Sequence, residues 1–122
     1  MGYYGLSMGS IFGIPLCAAV NFDCAALGLF GDENELTASL YQPLAAKIGC
    51  PVSYSMQLED ELFTRTGYLR VFDAIGSKDK RLRAYPGRHG EAPREDLEYI
   101  KDFLVGHLLK ETKGGAKKEA KL

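Results

Sequence analysis

Two periodicities divide the chain into alternating elements. Tyr3 and Tyr4 form a short strand-like stub that runs into Gly5-Leu6-Ser7-Met8-Gly9. From Met8 to about Val20 the apolar residues Ile11, Phe12, Ile14, Leu16, Cys17 and Val20 recur at helical spacing with small residues between them. Pro15 is expected to kink this helix or shift its start, because proline lacks the N–H that a helix interior uses. Ala25 to Phe30 is an unbroken apolar run closed by Gly31, the pattern of a parallel strand covered on both faces. A turn over 31–34 follows, and Leu36, Leu40, Leu44 and Ile48 then stand at strict i, i+4 intervals. That spacing predicts a helix over 36–48 with Gly49 placed to end it, despite Pro43.

The alternation repeats. Pro51 to Gln57 reads as a strand. Asp60 to Ile75 reads as a helix with Leu62, Leu69, Phe72 and Ile75 on its apolar stripe and Gly76-Ser77 as its stop. Lys80 to Tyr85 is a short strand ending at Pro86-Gly87, and Glu95 to Leu109 is an amphipathic helix with Leu97, Ile100, Leu104 and Leu108 facing inward. Strands alternating with helices predict an α/β domain, a parallel sheet of about four strands joined by right-handed crossovers.

Composition narrows the function. Hydrophobic residues make up 46% of the 122, enough to bury a core and to set disorder aside as a general description. Fifteen basic against sixteen acidic residues leave a net charge of -1, which argues against nucleic-acid binding. The balance is uneven: residues 110–122 hold five Lys against Glu111 and Glu119, so this segment is +3 and the body -4. It is expected to be a disordered Lys-rich tail behind a domain at 1–109. Cys17, Cys24 and Cys50 match no zinc or redox spacing and are expected to be buried thiols of a cytoplasmic protein. The longest apolar stretch, 11–20, falls short of a membrane span. The chain is dense with Gly and Tyr from position 2, as if it started inside a fold, and a missing front is expected.

Gly5 to Gly9 fits G-x-S-x-G, set between a strand and a helix. A sharp strand-to-helix turn strains the serine backbone and crowds the positions two before and two after it, a demand that Gly5 and Gly9 are expected to meet. The same turn presents Ser7 Oγ at the helix N-terminus, where the Met8 N–H is free to bind an oxyanion. The competing reading is a turn in which Ser7 merely caps the helix.

A serine needs a base to become a nucleophile. Of the two histidines, His107 falls in the last turn of the terminal helix and is expected to face solvent, whereas His89 follows the last strand. Strand carboxyl ends are where catalytic residues of open parallel sheets collect. Strand 51–57 leads into Glu59-Asp60-Glu61, one of which can orient the histidine. Asp60 is favoured because Glu59 is expected to end the strand and Glu61 to begin the helix. The order Ser7, Asp60, His89 is that of α/β-hydrolases.

With these pieces in place the chain resembles the C-terminal half of an α/β-hydrolase of the small dienelactone-hydrolase-like or esterase type. The resemblance rests on Gly5-Leu6-Ser7-Met8-Gly9 with Ser10-Ile11-Phe12-Gly13-Ile14-Pro15, on Ala26-Leu27-Gly28-Leu29-Phe30-Gly31 and Cys50-Pro51-Val52, and on Gln57-Leu58-Glu59-Asp60-Glu61-Leu62. It continues in Phe72-Asp73-Ala74-Ile75-Gly76-Ser77-Lys78-Asp79-Lys80 and runs on to Pro86-Gly87-Arg88-His89. It implies Ser7 as nucleophile, Asp60 as acid, His89 as base and Met8 N–H as one oxyanion donor. In the family several strands precede the elbow, together with the loop that supplies a second oxyanion N–H. Without them the sheet is expected to have an open edge, a template for homo-oligomer formation.

The function expected is that of a serine hydrolase of carboxylic esters or similar small acyl substrates, with no metal or organic cofactor. A second reading is a catalytically incomplete fragment that needs a partner or an N-terminal half. A third is a flavodoxin-like domain holding a phosphate or cofactor at Gly5 to Gly9.

Overall fold

Buried apolar runs and amphipathic segments assemble into a four-stranded, all-parallel sheet. The computed structural model describes the backbone of residues 1–121 and the side chains of residues 1–109; the expected tail at 110–122 lies outside the fully described residues. The elements are β1 (Gly2–Tyr4), α1 (Met8–Ala19), β2 (Cys24–Gly28), α2 (Glu35–Ala45), β3 (Val52–Gln57), α3 (Arg65–Ala74), β4 (Lys80–Tyr85) and α4 (Arg94–Lys121). The strands lie in sequential order, β1-β2-β3-β4, with Tyr4 opposite Ala26, Gly28 opposite Ser55 and Gln57 opposite Tyr85. No reversal of order occurs among the described strands, so the switch-point crevice that a flavodoxin-like sheet uses is not formed.

Crossovers of one hand and one direction put α1, α2 and α3 on the same face. There Ala25 and Leu27 of β2 and Val52, Tyr54 and Met56 of β3 pack against Ile14, Cys17, Ala45, Tyr68 and Val71. The opposite face of β3 carries Ser53, Ser55 and Gln57, also buried, and receives α4. Ser55 Oγ donates to the buried Asp96 carboxylate of α4 at 2.6 Å, and Gly2 lies beneath Leu104 and Leu108. All five residues of β2 are buried, as a strand covered on both sides requires. At the β1 end of the sheet, α1 presents Met8, Phe12 and Leu16 to solvent, and Val20 just after it is exposed as well. No helix among the described residues is long and apolar enough to cross a membrane.

Several helix faces differ from the sequence pattern. Pro15 neither kinks out of α1 nor displaces its start; Tyr41 Oη donates to Ile11 O at 2.9 Å, filling the carbonyl that Pro15 has no N–H to serve. In α2 the positions packed on the core are Tyr41, Leu44 and Ala45, so the expected Leu44 is inward while Leu36 and Leu40 are exposed. The helix stops at Ala45, whose carbonyl accepts from Gly76 N–H at 3.0 Å, before the expected end at Gly49. α3 begins at Arg65 rather than Asp60, capped by Thr64 Oγ1 on Gly67 N–H at 3.0 Å, and turns Gly67, Tyr68 and Val71 inward in place of Leu62 and Leu69. In α4, Ile100 and Phe103 are buried, but Leu97 is exposed and its neighbour Asp96 is the buried residue.

Candidate active site

Three of the four strands deliver residues to one end of the sheet. The turn after β1 holds Ser7 at φ 57°, ψ -114°, a conformation that costs an L residue of order 1–3 kcal/mol and persists only where the surroundings enforce it. They do so here through the backbone and one serine. Ser7 N–H donates to Gly28 O at 2.9 Å. The buried Ser10 Oγ shares its proton between Gly5 O at 2.8 Å and Gly28 O at 2.9 Å and accepts Gly28 N–H at 2.8 Å. A Cβ on Gly5 would stand 2.7 Å from Gly9 O and 2.8 Å from Tyr3 Oη, so glycine is required there. At Gly9 the expectation fails: an added Cβ meets nothing within 4 Å, because the first turn of α1 opens to solvent at that point. Ser7 makes no side-chain cap to α1, which removes the capping reading.

The Ser7 hydroxyl instead lies 2.8 Å from His89 Nε2, and His89 Nδ1 lies 2.8 Å from Asp60 Oδ2. A carboxylate can only accept, so Nδ1 carries the hydrogen and Nε2 of the neutral ring accepts from Ser7. The Asp60 carboxylate has no solvent exposure and is saturated. Oδ2 also accepts from Tyr68 Oη, and Oδ1 accepts from Leu62 N–H at 2.7 Å and Phe63 N–H at 3.2 Å. Burial pushes its pKa up, but the hydrogen bonds from Tyr68, His89 and Leu62, together with the attraction of the His89 ring in its protonated form, outweigh burial and hold Asp60 below the ordinary carboxylate value. Burial, then the bond to Asp60, drives the Tyr68 phenol upward, so it remains a donor. Phe63 packs a tilted ring on His89 with centroids 5.9 Å apart.

The acids beside Asp60 do not sit where the sequence puts them. Glu59 lies beyond the end of β3 and Glu61 lies in the loop before α3; the loop amides at 62 and 63 donate to Asp60 Oδ1, and the helix is capped only at Thr64. Both reach the backbone of the His89 loop rather than its ring. Met8 N–H opens α1, among the four amides a helix cannot satisfy itself. His107 is half-buried rather than solvent-facing, its ring edge-on to Phe103 at 4.6 Å. The cysteines are free; Cys17 and Cys24 are buried and Cys50 is partly exposed, and burial followed by the nearby Cys50 pushes the Cys17 thiol up to about 12. Sequence reasoning missed Ser10 and Tyr68. The only hint of Tyr68 is the general need of a buried tyrosine hydroxyl for an acceptor.

Neither a protein-family model nor a curated protein matches the chain. Among solved structures it is similar to a cold-adapted esterase from an Arctic intertidal metagenomic library, at 36% identity and a TM-score of 0.82, over 88% of this chain and 48% of that one. A Paleococcus ferrophilus monoacylglycerol lipase (14% identity, TM-score 0.69, 87% of this chain and 68% of that one) is similar at the level of fold. So is a Pyrococcus furiosus esterase (15% identity, TM-score 0.64, 89% and 52%). The four-stranded parallel sheet and its flanking helices thus match part of an α/β-hydrolase fold, as its expected C-terminal half, and span about half the length of the cold-adapted esterase that the chain matches.

Proposed function

We propose that this chain carries the nucleophile, base and acid of a serine hydrolase that acts on carboxylic esters or similar small acyl substrates. The observation that supports the reading is the unbroken series Ser7 Oγ, His89 Nε2, His89 Nδ1 and Asp60 Oδ2, with 2.8 Å at each hydrogen bond. Ser7 attacks the carbonyl carbon while His89 takes its proton, and Asp60 holds the ring in the required tautomer and stabilises the imidazolium. Met8 N–H, at the positive end of α1, faces the oxygen on which charge develops. His89 then protonates the leaving alcohol, and water enters by the same route to release the acid. No step calls on a metal or organic cofactor.

The half-length match favours a second reading, in which the activity needs a complementing N-terminal half. One missing oxyanion donor costs roughly 100- to 1000-fold in rate. Incubation with a fluorophosphonate and intact-mass measurement separates the two. The chain alone is expected to gain one phosphonyl group at Ser7, slowly, and Ser7→Ala none. An adduct formed only when an N-terminal half is supplied assigns the activity to the complemented protein. No adduct under either condition refutes the hydrolase reading.

A further inference from the structure

The loop that carries His89 has no regular secondary structure to hold it, yet its geometry must be kept within a fraction of an ångström. A displacement of about 1 Å would take either 2.8 Å bond of the imidazole outside hydrogen-bonding range. Three consecutive N–H groups of this loop each end on a carboxylate. Gly87 N–H donates to Glu59 Oε1 at 2.6 Å, Arg88 N–H to Glu91 Oε1 at 2.7 Å and His89 N–H to Glu61 Oε1 at 3.1 Å. Gly87, at φ +117°, gives the backbone the turn that aims these amides.

Two of the three carboxylates come from the acids flanking Asp60. Their second oxygens are held as well: Arg65 pairs with Glu59 Oε2 at 3.1 Å and Arg88 Nε with Glu61 Oε2 at 3.1 Å. The return contacts run the other way, from Glu59 N–H to Gly87 O at 3.0 Å and from Gln57 Nε2 to Arg88 O at 3.0 Å. Neither glutamate is hydrogen-bonded to the Ser7 hydroxyl or to the imidazole, whose partners are each other and Asp60.

We propose that Glu59 and Glu61 are positioning residues, a carboxylate clamp that sets the backbone of the His89 loop while Asp60 between them sets its ring. The whole triplet therefore works as one device, with the centre on the side chain and the flanks on the main chain. The proposal rests on the reading of His89 as the base, and its test keeps the two apart.

The test compares Glu61→Ala, Glu61→Gln and the double variant Glu59→Ala/Glu61→Ala with wild type. The first readout is the rate of fluorophosphonate labelling and of p-nitrophenyl ester turnover, on the chain alone or complemented. The second is the downfield NMR signal of His89 Nδ1–H, which reports the bond to Asp60 without any turnover, with Asp60→Ala as the assignment control. Glu61→Ala is expected to lower kcat and labelling about 10- to 100-fold with KM within roughly twofold, and to broaden or abolish the Nδ1–H signal. Glu61→Gln keeps an acceptor for His89 N–H and is expected to restore both to within about threefold of wild type. The Glu61 side chain is part-exposed, so the single variant is expected to fold, with its unfolding temperature as the check. Unchanged labelling and an unchanged Nδ1–H signal in the double variant overturn the clamp, as does the same loss in Glu61→Gln as in Glu61→Ala. A wild-type chain that is never labelled, yet shows a Nδ1–H signal that Glu61→Ala abolishes, refutes the hydrolase reading and keeps the clamp.

Discussion

Tyr68→Phe removes one oxygen from the site and leaves everything else in place. The Tyr68 ring is fully buried and its hydroxyl donates to Asp60 Oδ2, the same oxygen that receives His89 Nδ1–H. A hydrogen bond to a charged group contributes about 1.5–3 kcal/mol. For a chain of 122 residues 1 kcal/mol corresponds to about 4 °C in Tm, so the variant is expected to melt about 6–12 °C lower at pH 7. The pH dependence separates this cause from a packing defect. Asp60 lies below its ordinary pKa in the folded state, so its stabilising contribution is complete above the unfolded value, about 3.9, and is lost as pH falls through the lower folded value. Removing the phenol raises the folded value toward the unfolded one. The stability gap between wild type and variant is therefore expected to be full at pH 7 and to narrow below about pH 4. Urea denaturation across pH 3–8 measures it. A gap that stays constant to pH 3, or one smaller than about 0.5 kcal/mol at pH 7, would refute the assigned role of this hydrogen bond.

Four further variants probe the elbow and the second face of the sheet. Ser7→Gly is expected to raise stability by about 1 kcal/mol in urea denaturation, because relief of the strained φ of 57° outweighs the greater freedom of unfolded glycine, while phosphonyl labelling disappears; a less stable variant would contradict the strain. Gly5→Ala is expected to cost about 2 kcal/mol or more, since its Cβ meets backbone oxygen at 2.7 Å. Gly9→Ala meets nothing within 4 Å and gains up to about 1 kcal/mol of helix propensity, so equal effects at the two glycines would argue against the asymmetry. Asp96→Ala is expected to cost about 2–3 kcal/mol through the loss of its bond to Ser55, and an effect below about 0.5 kcal/mol would mean that α4 docks without it.

The order of elements was open to sequence reading because a parallel strand buried on both faces has an unmistakable composition, as 24–28 illustrates. Helix faces were less so. Leu36 and Leu40 dominate the pattern of α2, yet the residues that fit between α1 and the sheet are Tyr41 and Ala45, one chosen for a hydroxyl that reaches Ile11 O and the other for being small. The start of α3 misleads as well: Asp60 and Thr64 each accept from amides ahead of them, and the helix begins behind the second of these, at 65 rather than 60. Ser7, His89 and Asp60 could be singled out because each follows a strand in an order that means something chemically. The argument against Glu61, that it begins the helix, is not the physical one; Glu61 is in the loop and turned to His89 N–H. Tyr68 and Ser10 act through contacts that no periodicity marks, since what matters is where a single oxygen ends after the sheet has closed.

The parallel, sequential sheet also sets how the site comes into being. Ser7 follows β1, Asp60 follows β3 and His89 follows β4, so 82 residues separate the two ends of the Ser7–His89 bond. No hairpin or single βα unit holds two of the three, and each comes into place only after non-local strand pairing, the slow and cooperative part of folding such a topology. Partial unfolding of any one unit then dismantles the whole constellation. In the hydrolase proposed above, labelling of Ser7 therefore reports on the register of all four described strands.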